Sequence, residues 1–116
     1  VLNTERPLGV VNFSFDSHSL TTKSRTALLG KFVEFKAKNI STVSVFGYTD
    51  NYGTEKYNRD LAKRRADAVS AFLTKAGFVV KEIVGEGSCC YLVDDEGKEG
   101  QHVNRRAEIH LYKEKK

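Results

Sequence analysis

The stretch from Tyr57 to Ala76 has the strongest helical periodicity in the chain, and Gly77 follows it directly. A glycine just after the last periodic residue is a common helix stop. The segments on either side of this stretch have strand patterns instead. A long amphipathic helix must bury its apolar face against another layer of structure. The chain is therefore expected to pack helices on a β-sheet.

Four segments have strand patterns: Val10 to Phe15, Thr42 to Tyr48, Glu82 to Val84 and Arg105 to Tyr112. In the first, Val11, Phe13 and Phe15 alternate with polar residues, as in a half-buried strand. Gly47 inside the second indicates the close approach of another group. The last strand also alternates, with Ala107, Ile109 and Leu111 on one side and Arg106, Glu108, His110 and Tyr112 on the other.

A further helix is predicted from Thr22 to Asn39, with an apolar face of Leu28, Leu29, Phe32 and Val33. The element order is then β-α-β-α-β-β. This order predicts an α+β fold, a two-layer sandwich with two helices packed on one face of a small mixed sheet. A length of 116 residues suits one domain. We assign residues 10–112 to that domain, residues 1–9 to a lead-in and residues 113–116 to a basic tail.

The composition is that of a globular domain with a basic surface. Apolar residues make up 40% of the chain and charged residues 29%, with a net charge of +4. A basic balance suits nucleic acid, and it equally suits an anionic cell-wall polymer. A nucleic-acid-binding α/β module is therefore the alternative function, although the Arg-Gly-aromatic-Gly-aromatic signature of RNA-recognition modules is absent. No nucleic acid, cofactor or metal is expected as a partner.

No run of eighteen apolar residues is present, so the sequence predicts no membrane span. The given residues predict no signal peptide either. The abrupt start at Val1-Leu2-Asn3 is typical of a fragment, and membrane attachment is expected only through an anchor upstream. The parent protein could be a barrel, a lipoprotein, a stator unit or a secretion component, and its assembly as a dimer or larger stays open.

Cys89 and Cys90 are adjacent, so they cannot easily share one tetrahedral zinc site without further ligands nearby. Two unpaired thiols, a vicinal disulfide and an intermolecular bridge all stay open. These residues begin a polar, glycine-containing loop, Cys89 to Val103, for which the sequence predicts no conformation.

Arg65 falls in the middle of the apolar stripe of the long helix. The stripe consists of Leu61, Ala62, Val69, Phe72 and Leu73. Two explanations are open, since a buried guanidinium needs a partner. One is snorkelling or an internal salt bridge, and the other is a site that receives an external carboxylate. In the second case, Arg65→Ala is expected to keep or raise stability, because alanine is the best helix former.

Asp50 stands in the polar turn Asp-Asn-Tyr-Gly before the long helix. A turn or cap role and a role as a cation ligand are both open. Together, Asp50 and Arg65 could hold a zwitterion, with the carboxylate on an ammonium and the guanidinium on a carboxylate. Neither is a nucleophile, which favours recognition over catalysis. An acid–base enzyme built on Asp50, His18, His102 and His110 is the weakest hypothesis.

The segments around these residues resemble the signature of OmpA-like domains. They are Gly47-Tyr48-Thr49-Asp50-Asn51-Tyr52-Gly53-Thr54, then Tyr57-Asn58-Arg59-Asp60-Leu61-Ala62-Lys63-Arg64-Arg65-Ala66-Asp67-Ala68-Val69, and Asn104-Arg105-Arg106-Ala107-Glu108-Ile109. Val11 to Asp16 resembles the first strand of that family. The resemblance spans residues 10–112. It is strongest to the peptidoglycan-associated lipoprotein branch, and the C-terminal domains of stator proteins are also similar.

The resemblance implies a non-enzymatic domain that binds peptidoglycan non-covalently and tethers an envelope protein to the cell wall, in the periplasm of a Gram-negative bacterium. The ligand it implies is the meso-diaminopimelate of the stem peptide. By residue match, Asp50 holds the ammonium and Arg65 a carboxylate. Asn58, Leu61 and Thr49 match positions that line the pocket, and Asp16 and Ser17 match a bordering loop.

Two parts of the chain carry less of the resemblance. Arg105 and Arg106 match positions that look structural or rim-forming rather than ligand-binding. The segment Gly85-Glu86-Gly87-Ser88-Cys89-Cys90 departs from the family, since many relatives have a proline-containing turn here.

Overall fold

The chain folds in the order of strands and helices that the sequence predicts. The computed structural model describes residues 7–14, 17–49, 54–87 and 104–112. Its elements are β1 Gly9–Asn12, α1 Thr22–Ala37, β2 Thr42–Tyr48, α2 Glu55–Lys75, β3 Val79–Gly87 and β4 Arg106–Leu111. Several predictions lie outside the described residues, namely those on Phe15, Asp16, Asp50, Cys89, Cys90 and His102, on most of the lead-in and on the basic tail.

The four strands form one mixed sheet in the order β1-β4-β2-β3. Strand β4 runs antiparallel to both β1 and β2, whereas β2 and β3 are parallel. The predicted strand Glu82 to Val84 is too short. β3 pairs along the whole of β2, from Thr42 opposite Val79 to Tyr48 opposite Gly87. Pairing with a neighbour extends β3 beyond its local pattern, because strand formation depends on tertiary context.

Helix α2 begins and ends with clear capping interactions. The Thr54 hydroxyl accepts a hydrogen bond from the Tyr57 amide at 3.1 Å, which satisfies one of the unpaired N–H groups of the first turn. After the helix, Gly77 has a φ of 99°, a left-handed conformation that glycine adopts readily. Although α2 is long, no helix in the described part of the chain is apolar enough to cross a membrane.

Both helices cover one face of the sheet, and the core lies between the two layers. Its main members are Val11, Phe13, Leu28, Phe32, Phe35, Val43, Val45, Ala66, Val69, Leu73, Phe78, Ala107 and Ile109. The predicted face of α1 was partly wrong, because Leu29 and Val33 are 53% and 70% exposed. Phe35 is buried instead, and its ring packs edge-on against the Phe78 ring with 5.9 Å between the centroids.

Helix α2 lies directly against the backbone of β2 and β3. A Cβ atom added at Gly47 would lie 1.8 Å from the carbonyl oxygen of Ala62, and one at Gly85 would lie 2.7 Å from the amide nitrogen of Lys63. The predicted close approach at Gly47 is confirmed. These two glycines let the helix sit deep enough to bring its buried face to the carboxyl end of β2.

The sheet face turned away from α1 and α2, here called the far face, contains a buried ionic cluster. Arg106 and Glu108 are both 0% exposed, and Arg106 Nε donates to Glu108 Oε2 at 2.5 Å. His110 Nε2 lies 2.8 Å from the other oxygen of Glu108. The alternation predicted for the last strand is therefore observed from Arg106 to Ile109, where the polar Arg106 and Glu108 are buried as well as the apolar Ala107 and Ile109.

The far-face cluster predicts acid-sensitive stability. Burial raises the pKa of the Glu108 carboxyl, but hydrogen bonds from His110 and Arg106 outweigh it and hold the pKa below its ordinary value of 4.5. The stability from ionised Glu108 is thus fully present above that value and lost as the pH falls through the lowered pKa. Glu108→Gln should lower the free energy of unfolding by about 2 kcal/mol at neutral pH, and the difference from wild type should shrink in acid. Urea unfolding of both proteins from pH 7 to 3 tests this. A difference in the free energy of unfolding that stays the same over this range would contradict it.

Candidate functional site

Arg65 lies midway along α2, and its side chain is completely buried at 0% exposure. Its Nε donates to the Ser17 carbonyl at 2.8 Å, Nη1 to the Tyr48 carbonyl at 3.0 Å and Nη2 to the Ser14 carbonyl at 3.2 Å. The guanidinium also lies over the Phe13 ring, 5.3 Å from its centroid. Arg65 therefore joins α2 to the segment after β1 and to the carboxyl end of β2.

Within the described part of the chain, the acceptors of these hydrogen bonds are three main-chain carbonyls. Ser14 and Tyr48 were not predicted as part of the site. Their contribution comes from carbonyl groups, which every residue has, so their side chains gave no signal. Three acceptors from two chain segments fix the plane of the guanidinium, and a fixed plane favours bidentate recognition of a carboxylate.

Helical spacing places Asn58 and Leu61 on the same face of α2 as Arg65, two turns and one turn earlier. Asn58 is 2% exposed and Leu61 is 6% exposed, so the predicted pocket positions are buried together with the arginine. The Thr54 cap fixes where the helix begins and hence the direction in which these side chains point. One buried face of α2 thus contains an amide, an apolar side chain and a guanidinium.

Thr49 follows β2 directly and is 1% exposed. Its amide donates to the Gly87 carbonyl at 2.7 Å, but its hydroxyl has no hydrogen-bond partner in the described structure. Leaving a buried hydroxyl without a partner costs stability. A buried polar group without a partner is rare in native proteins and calls for an explanation. The Thr49 hydroxyl is therefore a candidate to hydrogen-bond a bound molecule.

The structure brings five of the seven predicted site residues to one end of the sheet: Ser17, Thr49, Asn58, Leu61 and Arg65. Asp16 and Asp50 lie outside the described residues. Of the histidines considered for catalysis, His18 is exposed between β1 and α1, whereas His110 lies on the far face beside Glu108.

A groove of about 390 Å³ separates β1 from the first turns of α1. Phe13 and Ser14 line it and also contact Arg65, so the groove adjoins the arginine. Lys23 and Lys31 stand along its α1 side. Arg105, predicted to be structural, donates from Nε to the Phe13 carbonyl at 3.1 Å and supports the same segment.

Comparison with known proteins shows the family and the fold of this chain. The model of the OmpA family matches residues 12–106. The outer-membrane lipoprotein YfiB of Pseudomonas aeruginosa is 38% identical over 96 residues, which make up 81% of this chain and 53% of that protein. The peptidoglycan-binding protein ArfA of Mycobacterium bovis is 34% identical over 103 residues, or 87% of this chain and 32% of that protein. The chain thus spans about half or less of these relatives.

The crystal structure of the peptidoglycan-associated lipoprotein from Burkholderia pseudomallei has the same fold. It superimposes with a TM-score of 0.77 at 27% sequence identity and covers 87% of both chains. Its agreement confirms the predicted arrangement of two helices on a four-stranded mixed sheet.

Proposed function

Because this chain belongs to the OmpA family, we propose that it binds peptidoglycan non-covalently and tethers a larger envelope protein to the cell wall. The observation that carries the proposal is the buried guanidinium of Arg65, which main-chain carbonyls orient at the carboxyl end of β2. The names of two relatives support it, one a peptidoglycan-binding protein and the other a peptidoglycan-associated lipoprotein.

The ligand we propose is the meso-diaminopimelate of the stem peptide. The side chain of this residue ends in an ammonium and a carboxylate, so it needs one anion and one cation from the protein. Arg65 supplies the cation and, by its match to the family signature, Asp50 supplies the anion. Thr49 and Asn58 contribute polar contacts and Leu61 an apolar wall. The oriented fork of Arg65 loses little freedom when it binds a carboxylate, which favours affinity for a small ligand.

A ligand carboxylate must reach the buried guanidinium of Arg65, and it could do so by replacing the Ser14 carbonyl as a hydrogen-bond acceptor. The bond to Ser14 is the longest of the three hydrogen bonds at 3.2 Å, and Ser14 is itself exposed. A ligand carboxylate that replaces the Ser14 carbonyl would exchange a neutral acceptor for a charged one, which forms the stronger bond. The adjoining groove gives space for the rest of the stem peptide to approach.

Recognition without catalysis is the activity we propose, since the site supplies ionic and polar contacts rather than a nucleophile with its base. The domain, residues 10–112, would act on the periplasmic side of the envelope as one part of a longer protein, joined to the membrane by an upstream anchor. The name of the YfiB relative, an outer-membrane lipoprotein, supports such an envelope location.

The chain is expected to co-sediment with sacculi that contain diaminopimelate and much less with a wall that has lysine at that position. Lysine carries the distal ammonium but lacks the second carboxylate, so Arg65 would lose its partner. Free meso-diaminopimelate should release the bound protein, and free lysine should not. Equal retention on both walls would contradict the proposed ligand, and no retention on either wall would contradict peptidoglycan binding itself.

A further inference from the structure

Tyr48 connects the two faces of the sheet. Gly47 faces α2, so the side chain of Tyr48 points to the far face. There its ring lies under the guanidinium of Arg106, 4.0 Å from the ring centroid. Its carbonyl, on the other hand, accepts a hydrogen bond from Arg65 at 3.0 Å. One residue is therefore held by two arginines, one from each side of the sheet.

Arg106 is itself held firmly. Its Nε donates to Glu108 at 2.5 Å and its Nη1 to the Asn104 carbonyl at 3.4 Å. Glu108 is held in turn by His110 at 2.8 Å. Arg106 and Glu108 have no exposed surface. A cation buried against an aromatic face interacts more strongly than an exposed one, so the Tyr48 ring has little freedom to move.

We propose that Arg106 is a positioning residue for the wall-binding site: by stacking on the Tyr48 ring it fixes the carbonyl that orients Arg65 and the Thr49 hydroxyl that follows. The inference rests on the proposed function, since it assigns a role in that site to the far-face cluster. Arg106 does not touch the ligand. Arg106 acts through Tyr48. Because Tyr48 and Thr49 are consecutive, a tilt of the peptide between them moves both the Tyr48 carbonyl and the Thr49 hydroxyl.

The contacts that lead from Arg106 through Tyr48 to Arg65 form the proposed path, and two variants break it at different points. Arg106→Lys keeps a charge that can pair with Glu108 but loses the planar stack, and Tyr48→Leu removes the ring. Each should weaken binding to diaminopimelate-containing sacculi roughly tenfold. The double variant should lose no more than Tyr48→Leu alone, because both changes act on one path. Tyr48→Phe keeps the ring and should recover most of the affinity. Glu82→Gln, which alters the acceptor of the hydrogen bond that the Ser44 hydroxyl donates elsewhere in the sheet, is the matched control and should bind as wild type.

A second readout needs no ligand. Hydrogen exchange of the Arg65 Nε–H group, followed by NMR, reports its bond to the Ser17 carbonyl and hence the orientation of the guanidinium. Exchange should be faster in Arg106→Lys and Tyr48→Leu than in wild type or Glu82→Gln. Unchanged exchange in both variants would overturn the proposal. So would a double variant whose loss of affinity for sacculi equals the product of the two single losses. If wild type binds no sacculi, the proposed function fails, but hydrogen exchange still tests whether Arg106 positions Arg65 through Tyr48. If Tyr48→Leu does not fold, Arg106→Lys alone provides this test.

Discussion

Arg65→Ala is expected to abolish retention on diaminopimelate-containing sacculi and to lower the free energy of unfolding by about 4 kcal/mol. The loss of binding follows because a small zwitterion has few other contacts to compensate for an unpaired carboxylate. The loss of stability follows because the carbonyls of Ser17 and Tyr48 would lose their donor. This second effect reverses the expectation from the sequence, where the arginine looked like an awkward charge on an apolar face.

Two variants separate the effects of binding and folding. Arg64→Ala replaces the neighbouring, exposed arginine of α2 and should change neither quantity. Asp50→Asn keeps the shape of the proposed ammonium ligand without its charge, and it should abolish binding while the domain stays folded. Urea unfolding and sacculus pull-downs on the same preparations measure both properties. An Arg65→Ala protein that unfolds early but binds normally while folded would refute the ligand role and leave the arginine a purely structural one.

Gly47→Ala should be among the most destabilising single changes in the domain, at about 4 kcal/mol or more. The new Cβ would lie 1.8 Å from the Ala62 carbonyl oxygen, which is a backbone atom, and its own position is fixed by the backbone of β2. The contact cannot be relieved by a side-chain rotation, so α2 must move away from β2. That movement would also carry Arg65 away from the Tyr48 carbonyl, and wall binding should fall along with the melting temperature.

Gly30→Ala is the matched control for this substitution. Gly30 lies in α1, and an added Cβ there meets no atom within 4 Å. Alanine in place of a helical glycine should stabilise the domain by about 0.5–1 kcal/mol. Thermal melts of the two variants therefore should move in opposite directions. A Gly47→Ala protein that melts close to wild type would mean that α2 does not approach β2 as closely as described.

Much of the architecture could be predicted because the local signals agree with the tertiary structure. The bounds of β2 were predicted as observed, and α2 has a capping threonine at one end and a glycine at the other. Arg65 stood out because a charge in an apolar stripe conflicts with its surroundings. Such conflicts between local pattern and fold are expected at functional sites.

The remaining features depend on contacts between segments that are distant in the sequence. The buried face of α1 is set by the aromatic contact of Phe35 with Phe78, which no periodicity within α1 could reveal. The length of β3 comes from its pairing with β2. Among the described residues, Arg65 donates to main-chain carbonyls, and a search for chemically distinctive side chains cannot detect those. The burial of Arg106 and Glu108 likewise requires knowledge of both faces of β4.

The position of β4 has a consequence for the order of folding. This strand follows the other three in the sequence, yet it lies between β1 and β2, and β1 joins the sheet through it, with Gly9 opposite Ile109. Contacts between such distant residues raise the contact order and are slow to form. Until β4 docks, β1 has no place in the sheet, and the Ser14 and Ser17 carbonyls cannot reach Arg65. The proposed wall-binding site would therefore form only after β4 has joined β1 to the rest of the sheet.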